Sequence, residues 1–248
     1  MFNVIFNEID MPDFLKVKAV NTTIFPEINH SFKNIAGGKG TVEMGTSFGA
    51  KEIQLDFKIV VPKDKSLMEV QRELSVWLMG DNFKLSPLII SDEPDMVYMA
   101  KVKDSTSVKD SIFIGEGTIT FIVPKGVASY RYEKHGSING KAIGIYYLGT
   151  AETYPLIEWT PAKDFGKGTV LKFTHAQTGD VVILEGSFKA GQKVLIDCNK
   201  KLVKVGGNLT LSMISLDSDW IKIKDKGINT ISCNLEGALK CTYKENWL

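Results

Sequence analysis

Hydrophobic and polar residues alternate with a period of two along most of the chain. Between positions 51 and 60, Ile53, Leu55, Phe57 and Ile59 are apolar, and the residues between them are charged or polar. Because successive side chains of a strand point to opposite faces of a sheet, this pattern predicts a half-buried strand. Similar short runs recur, mostly separated by Gly, Pro, Asn or Asp, and they predict a mainly β protein built as a β-sandwich or a barrel. The other predicted strands are Val4–Phe6, Phe14–Val20, Leu85–Ile90, Val97–Val102, Ile112–Val123, Pro155–Trp159, Val170–Phe173, Val181–Leu184, Val194–Asp197, Leu202–Val205, Leu209–Ile214, Trp220–Ile223 and Ile228–Cys233.

A single segment, at about residues 66–79, has the period of a helix instead. It opens with Ser66-Leu67-Met68-Glu69, a capping box in which the Ser and Glu side chains each satisfy an otherwise unpaired N–H. The apolar residues then form one stripe along the predicted helix: Leu67, Val70, Leu74, Trp77 and Leu78. Gly80 is a natural terminator. The place of Trp77 in the stripe indicates a core residue rather than a ligand platform.

The segment Phe25–Ala50 has too few apolar residues to build a core, and its middle is the glycine-rich run 37–40. We interpret it as a projecting hairpin at about 24–53 with the glycines at its tip. An isolated hairpin is marginally stable in water, so a second copy of the protein is the expected partner. A mobile loop is the alternative. The residues expected to be buried in the interface are Phe25, Phe32, Val42, Met44 and Phe48.

Turn-forming residues cluster near Ala128–Lys141 and predict a domain boundary there. The predicted domains are residues 1–133, with the hairpin and the helix, and residues 140–248. The second of these carries two hairpin patterns, one over 194–205 and one over 220–231 with its turn at Asp225–Gly227.

The charge is nearly balanced, with 30 Lys and Arg against 29 Asp and Glu, which argues against a general nucleic-acid binder. Only Arg72 and Arg131 are arginines, so the side chain best suited to bidentate phosphate contacts is scarce. The lysine excess is compatible with an AT-rich genome. No apolar run approaches the ~18 residues of a membrane span. The N-terminus lacks the features of a signal peptide, so we expect no classical export signal.

The residue types that usually carry chemistry do not assemble into a site. The cysteines (Cys198, Cys233 and Cys241) lack zinc-ligand spacing and are expected to be buried thiols. The histidines (His30, His135 and His175) are far apart and are expected at the surface or in turns. The glycine-rich run lacks the Ser or Thr of a phosphate loop, and the acidic clusters 92–95 and 217–219 are typical of turns. The sequence predicts no catalytic, cofactor or metal site.

Several short motifs, taken in order, resemble one family. They begin with Phe48-Gly49-Ala50-Lys51-Glu52-Ile53 after the hairpin, and continue with Trp77-Leu78 and with Leu85, Asp92 and Tyr98-Met99-Ala100. The second half adds Tyr154-Pro155-Leu156-Ile157, the run 186–197 and Gly227–Ile231. The chain resembles the distal tail (Dit) proteins of siphoviruses, with phages or prophages of low-GC Gram-positive hosts as the expected source. Many members carry Arg at the position of Lys51, and no large consequence is expected.

The resemblance implies a structural protein and not an enzyme. The expected assembly is a hexameric ring in which each hairpin acts as a belt on its neighbour. The resemblance implies two β-sandwich domains. The N-terminal one is expected to carry the helix and the belt hairpin, and the C-terminal one is expected to be galectin-like or carbohydrate-module-like. The implied partners are the major tail (tube) protein, the tape-measure protein, and the tail-tip proteins, tail-associated lysin or receptor-binding proteins. DNA would pass through the channel without specific binding, no membrane is involved, and no cofactor is needed. The expected location is the virion tail tip, and the host cytoplasm during assembly.

Three alternatives stay open at this point. A carbohydrate-binding module for host cell-wall glycans would use exposed aromatic residues of the second half, with Trp220 and Tyr146 as candidate contacts. A hydrolase would need a matched acid pair or a nucleophile–base pair, and neither is visible. A tail-tube protein or another ring protein of the same lineage would differ in ring shape.

Overall fold

The computed structural model describes residues 2–103, 108–109 and 114–248. The chain divides into two compact units, one running to Ser129 and including Leu248, the other spanning Tyr130–Trp247. Both are built mainly from strands, which confirms the mainly β prediction. In the described parts of the chain, no helix is long and apolar enough to cross a membrane. Residues 112 and 113 of the predicted strand Ile112–Val123 lie outside the described residues.

In the first unit, strands form at the predicted period-two runs, and the predicted helix is present as well. Its elements are β1 (Val4–Phe6), β2 (Ile9–Asp10), β3 (Leu15–Thr22), β4 (Ile28–Asn34), β5 (Thr41–Phe48), β6 (Lys51–Val60), α1 (Leu67–Met79), β7 (Ser86–Ile90), β8 (Met96–Val102), β9 (Val108–Lys109) and β10 (Ile114–Val123), and β11 (Ala128–Tyr130) begins at its end.

The core of the first unit lies inside a strongly curled sheet. Its strands follow the order β2-β1-β7-β8-β10-β6-β3, and an isolated bridge between Phe2 and Val17 joins the first strands to the last. The inward residues of β6 are the alternating apolar residues of the sequence pattern, and all are buried. Because one residue in two faces inward, a single curled sheet can enclose its own core.

The helix α1 packs against this core through the predicted stripe. Val70, Leu74 and Trp77 are buried, and the Trp77 indole N–H donates to the carbonyl of Ile9 at 3.2 Å. Ser66 is the N-cap, and both hydrogen bonds of the capping box are present. The prediction of the helix and of its capping box is therefore confirmed, and Trp77 is a core residue.

The second unit is a sandwich of two sheets. Its strands are β12 (Lys134–Asn139), β13 (Ala142–Tyr147), β14 (Leu156–Pro161), β15 (Phe165–His175), β16 (Val181–Phe188), β17 (Val194–Asp197), β18 (Leu202–Val205), β19 (Asn208–Leu209), β20 (Gly227–Cys233), β21 (Gly237–Tyr243) and β22 (Asn246–Trp247). One sheet has the order β12-β21-β14-β17-β18-β19 and the other β13-β20-β15-β16. Between them, Trp159 is fully buried and packs edge-on against Phe173 and Phe188.

Two predicted strands of the second unit are wrong. Residues 209–214 form the end of β19 and a short 3-10 helix over Leu211–Met213. Residues 220–223 contain only an isolated bridge from Ile223 to Thr153, so the predicted hairpin over 220–231 is absent. In both segments, hydrogen bonds to distant residues set the backbone conformation. For example, the Asp219 N–H donates to the carbonyl of Val181.

The prediction for the histidines is right for His30 and His135, which are exposed, and wrong for His175, which is fully buried. The Asn229 amide donates its hydrogens to two backbone carbonyls, so its oxygen must accept from His175 Nε2 at 3.0 Å. The other ring nitrogen, Nδ1, then accepts from the Thr178 hydroxyl at 2.7 Å. A buried imidazole with both nitrogens paired is stable because no polar atom is left unsatisfied.

Candidate assembly arm

The candidate site is the arm, residues 25–50, whose strands β4 and β5 form a two-stranded sheet of their own. Every residue of both strands is exposed, and none belongs to the core of the first unit. The pairing begins at Ile28 opposite Phe48 and ends at Asn34 opposite Thr41. A β-bulge interrupts it after Ser31, where Met44 is the extra residue of β5.

Cross-strand partners share a face, so the register separates the arm into two chemically different faces. One face carries Ile28, Phe32 and Phe48 together with His30, Thr46 and Glu43, and we call its three apolar residues the apolar face. Their side chains are 43%, 59% and 52% exposed. The opposite face carries the pair Asn29 and Ser47, the pair Ser31 and Gly45, and the pair Lys33 and Val42.

The predicted interface residues are therefore all exposed, and the fold brings only some of them together. Phe32 and Phe48 share the apolar face, whereas Val42 lies on the opposite face. Met44 lies at the bulge, and Phe25 precedes the first strand. Ile28 is a member of the apolar face that the predicted interface set does not contain. Its place opposite Phe48 follows from the register, which the period-two pattern alone does not fix.

A polar cluster holds the middle of the arm together. The Thr46 hydroxyl donates its single hydrogen to Glu43 at 2.8 Å, so it must accept its bond from His30 Nδ1, also at 2.8 Å. The His30 ring lies 6.1 Å from the ring of Phe32. The His30–Thr46 bond crosses the two strands, the Thr46–Glu43 bond runs along β5, and together they support a hairpin that has no core of its own.

The root of the arm is also bonded. The amide of Glu27 donates to the carbonyl of Ala50 at 3.2 Å, and the amide of Gly49 donates to the carbonyl of Glu27 at 2.7 Å. Pro26, beside this pair, is buried, in contrast to the exposed strands that follow it. The arm is thus free along its length and fixed at its base.

The two candidate glycan contacts do not lie together. Tyr146 is exposed on β13, an edge strand of the four-stranded sheet, whereas Trp220 is partly buried against the core. Trp220 follows Asp219, whose backbone bonds to Val181 on β16, the opposite edge strand. With strands about 4.8 Å apart, the two edges are separated by roughly 14 Å.

Neither the possible metal ligands nor the cysteines of the described residues offer a second site. No group of three metal-ligating side chains occurs among them. All three cysteines are buried, and burial raises the pKa of Cys233 to about 11 and that of Cys241 to about 12. Such thiols are protonated near neutral pH and are poor nucleophiles.

A shallow pocket of about 330 Å³ lies on the outer face of the six-stranded sheet. In its wall, the Glu158 carboxylate is 2.8 Å from the Lys193 ammonium and 3.7 Å from that of Lys240. The hydrogen bond from Lys193 and the two positive charges lower the pKa of Glu158, so this carboxylate stays ionised. It is therefore unsuited to act as a general acid.

Comparison with known proteins decides the family. A family model described as a siphovirus-type tail component, C-terminal domain, matches residues 148–247, and one described as a phage tail protein RIFT-related domain matches residues 9–123. The chain belongs to the Dit family of siphovirus tail proteins. The resemblance inferred from the short motifs is confirmed.

Two relatives span nearly the whole chain. The distal tail protein of Bacillus phage SPP1 is 24% identical over 243 residues, which cover 93% of this chain and 90% of the relative. A crystal structure of the SPP1 Dit protein, described as a paradigm of the hub adsorption apparatus in phages that infect Gram-positive bacteria, aligns over 100% of both chains. Its TM-score is 0.83 at 18% identity. The structure of the phage p2 baseplate, 10% identical with a TM-score of 0.46, covers 97% of each chain and is too distant to support an argument.

Proposed function

We propose that this chain is a structural distal tail protein, the hub that joins a phage tail tube to the adsorption apparatus. The observation that carries the proposal is the match to the SPP1 distal tail protein, which extends over both units rather than over one shared domain. The relatives are structural tail proteins, and no enzymatic role is proposed. The site of action is the tail tip of the virion, with assembly in the host cytoplasm.

The arm supports a hexameric ring as the working form. Its apolar face is exposed on its own chain, and burying apolar surface is worth roughly 25 cal/mol per Å². A neighbouring copy would supply the missing contact. A contact between an arm and a different surface on the next copy is heterologous, and such contacts close into a ring when the rotation allows it.

The ring would leave a channel through which DNA passes without being held. The chain has a formal net charge of +1, with only two arginines. Multiple Lys and Arg contacts to phosphate would retain DNA, and their release would depend on salt. The proposed neighbours in the virion are the major tail protein, the tape-measure protein, and the tail-tip, lysin or receptor-binding proteins.

Electron microscopy of the purified full-length chain tests this function. We expect rings with a central opening, and we expect them to cap the end of tubes formed by the major tail protein of the same phage. A mobility-shift titration with double-stranded DNA should show no binding near physiological salt. A chain that stays monomeric at all concentrations and does not bind tubes would contradict the proposal.

Glycan recognition is a second candidate, favoured by the pocket on the six-stranded sheet. Ser137, Asn139 and Thr160 line it together with Glu158 and Lys240, and these groups suit a ligand rich in hydroxyls. Tyr146 and Trp220 remain predicted contacts outside this pocket. Calorimetric titration of the full-length chain with cell-wall glycans would test this function. Heat that Glu158→Gln abolishes would support it, and no heat would rule it out for the glycans used.

A further inference from the structure

The root of the arm contacts a turn that comes much later in the chain. After β10, the chain turns at Pro124-Lys125-Gly126, and the Gly126 amide donates to the carbonyl of Val123 at 2.9 Å. Gly126 is buried and has a φ of +66°, a conformation that residues with a side chain rarely adopt.

The surroundings of Gly126 leave no space for a side chain. A Cβ atom at this position would lie 2.8 Å from the carbonyl oxygen of Gly49 and 2.8 Å from both Cβ and Cγ of Pro26. Ordinary van der Waals contact begins at about 3.4 Å. The obstacles are a backbone carbonyl and a rigid proline ring, not the end of a flexible side chain, so the root itself would have to move.

We propose that Gly126 is a positioning residue, which sets the direction in which the arm leaves the first unit. This inference rests on the proposed ring, because direction decides whether the apolar face can meet a neighbouring copy. Pro26 precedes the first strand of the arm and Gly49 follows the second, and both lie against the turn that contains Gly126. The strands of the arm are exposed throughout, so the described residues offer the rest of the arm no comparable anchor.

The length of the arm amplifies a small shift at the root. Relieving the contact requires a displacement of about 0.6 Å, the difference between 2.8 Å and 3.4 Å. If the displacements of the two root strands, which lie about 4.8 Å apart, differ by that amount, the hairpin tilts by about 7°. At about 3.3 Å per residue, the tip lies about 23 Å from the root and moves by about 3 Å. Close-packed interfaces do not absorb a shift of that size.

The decisive experiment compares Gly126→Ala with Gly37→Ala. Gly37, at the tip of the arm, also has a left-handed φ, +77°, but nothing lies within 4 Å of an added Cβ. Both variants therefore carry similar backbone strain, and only the first meets the root. We expect Gly126→Ala to lower the association constant of the ring by at least tenfold, measured by light scattering over a dilution series. Gly37→Ala should assemble like the parent chain. Equal assembly of all three, or equal loss in both variants, would overturn the inference.

Amide hydrogen exchange gives a readout that does not depend on the ring. In Gly126→Ala, the amides of Glu27 and Gly49 should exchange faster, while the amides of the core strand β6 keep their protection. Unchanged exchange at the root would refute the positioning role, whether or not the parent chain forms a ring. The absence of a ring in the parent chain would count separately, against the proposed function. Should Gly126→Ala fail to fold, Pro26→Gly empties the same contact from the other side. It is expected to produce the same local loss of protection.

Discussion

Replacing Phe32 and Phe48 with aspartate removes the two aromatic side chains of the apolar face. Both lie on one side of the arm, and both are more than half exposed. In an isolated copy neither side chain belongs to the core of the first unit, so the substitutions leave that core intact. We expect the melting temperature of the monomer to be unchanged by circular dichroism.

The effect on the ring is expected to be large. With about 200 Å² for a phenylalanine side chain, the exposed parts of Phe32 and Phe48 amount to roughly 200 Å² together. At roughly 25 cal/mol per Å², their burial stabilises each interface by about 5 kcal/mol. Because about 1.4 kcal/mol corresponds to a tenfold change, the association constant should fall by roughly a thousandfold or more.

Light scattering over a dilution series measures this change, and the arm offers a matched control. Asn29→Asp with Ser47→Asp adds the same two charges to a cross-strand pair on the opposite face of the same hairpin. This control is expected to assemble like the parent chain. Rings of the Phe32 and Phe48 variant that survive dilution as well as those of the parent would refute the role of the apolar face. An equal loss in the control would show that added charge, not lost apolar contact, was responsible.

Three further changes test the structure of the individual units. Glu245→Ala should destabilise the second unit by about 1–3 kcal/mol in urea unfolding, because a backbone amide that donates to the buried carboxylate at 3.1 Å loses its acceptor and a partly exposed lysine ammonium at 2.8 Å loses its partner. An unchanged midpoint would contradict this. The free energy of unfolding should fall as pH rises above about 8.5, because burial raises the pKa of Cys233 to about 11 and that of Cys241 to about 12 in the folded state, so the unfolded thiols ionise first. Replacing both by Ala should make this slope smaller but not abolish it, because burial also raises the pKa of the third cysteine. Lys51→Met should raise the melting temperature, because Lys51 is buried and desolvation lowers its pKa despite the nearby charge of Glu93; a lower melting temperature would show that this charge pairing outweighs desolvation.

Local patterns were sufficient for the elements that carry their own signal. The helix was predictable because the capping box and the apolar stripe both depend on neighbours within a few residues. The hairpin of the arm was predictable from the glycines between two sparse apolar runs. The strand β21, which the predicted set lacks, carries the same alternation, with Leu239, Cys241 and Tyr243 buried, so a stricter count of period-two runs would have found it.

Long-range contacts account for the predictions that were wrong. His175 looks like a turn histidine in sequence, yet Asn229 satisfies its ring and allows it to be buried. Trp220 lies beside a short run that alternates like a strand, but the neighbouring backbone bonds to Val181 and forms no ladder. In both cases the partner lies dozens of residues away, where a local pattern contains no information about it.

The arm shows where the two kinds of information divide. The sequence alone determined that this segment lacks a core and favoured a hairpin over a mobile loop, because turn residues and sparse apolar positions are local properties. Only the tertiary structure decided that Phe32 and Phe48 share a face while Val42 lies on the other. The bulge changes the register of the strands, and the hydrophobic pattern of the sequence does not reveal it. Only the tertiary structure placed Gly126 against Pro26 and Gly49, because packing brings together residues that the order of the chain keeps apart.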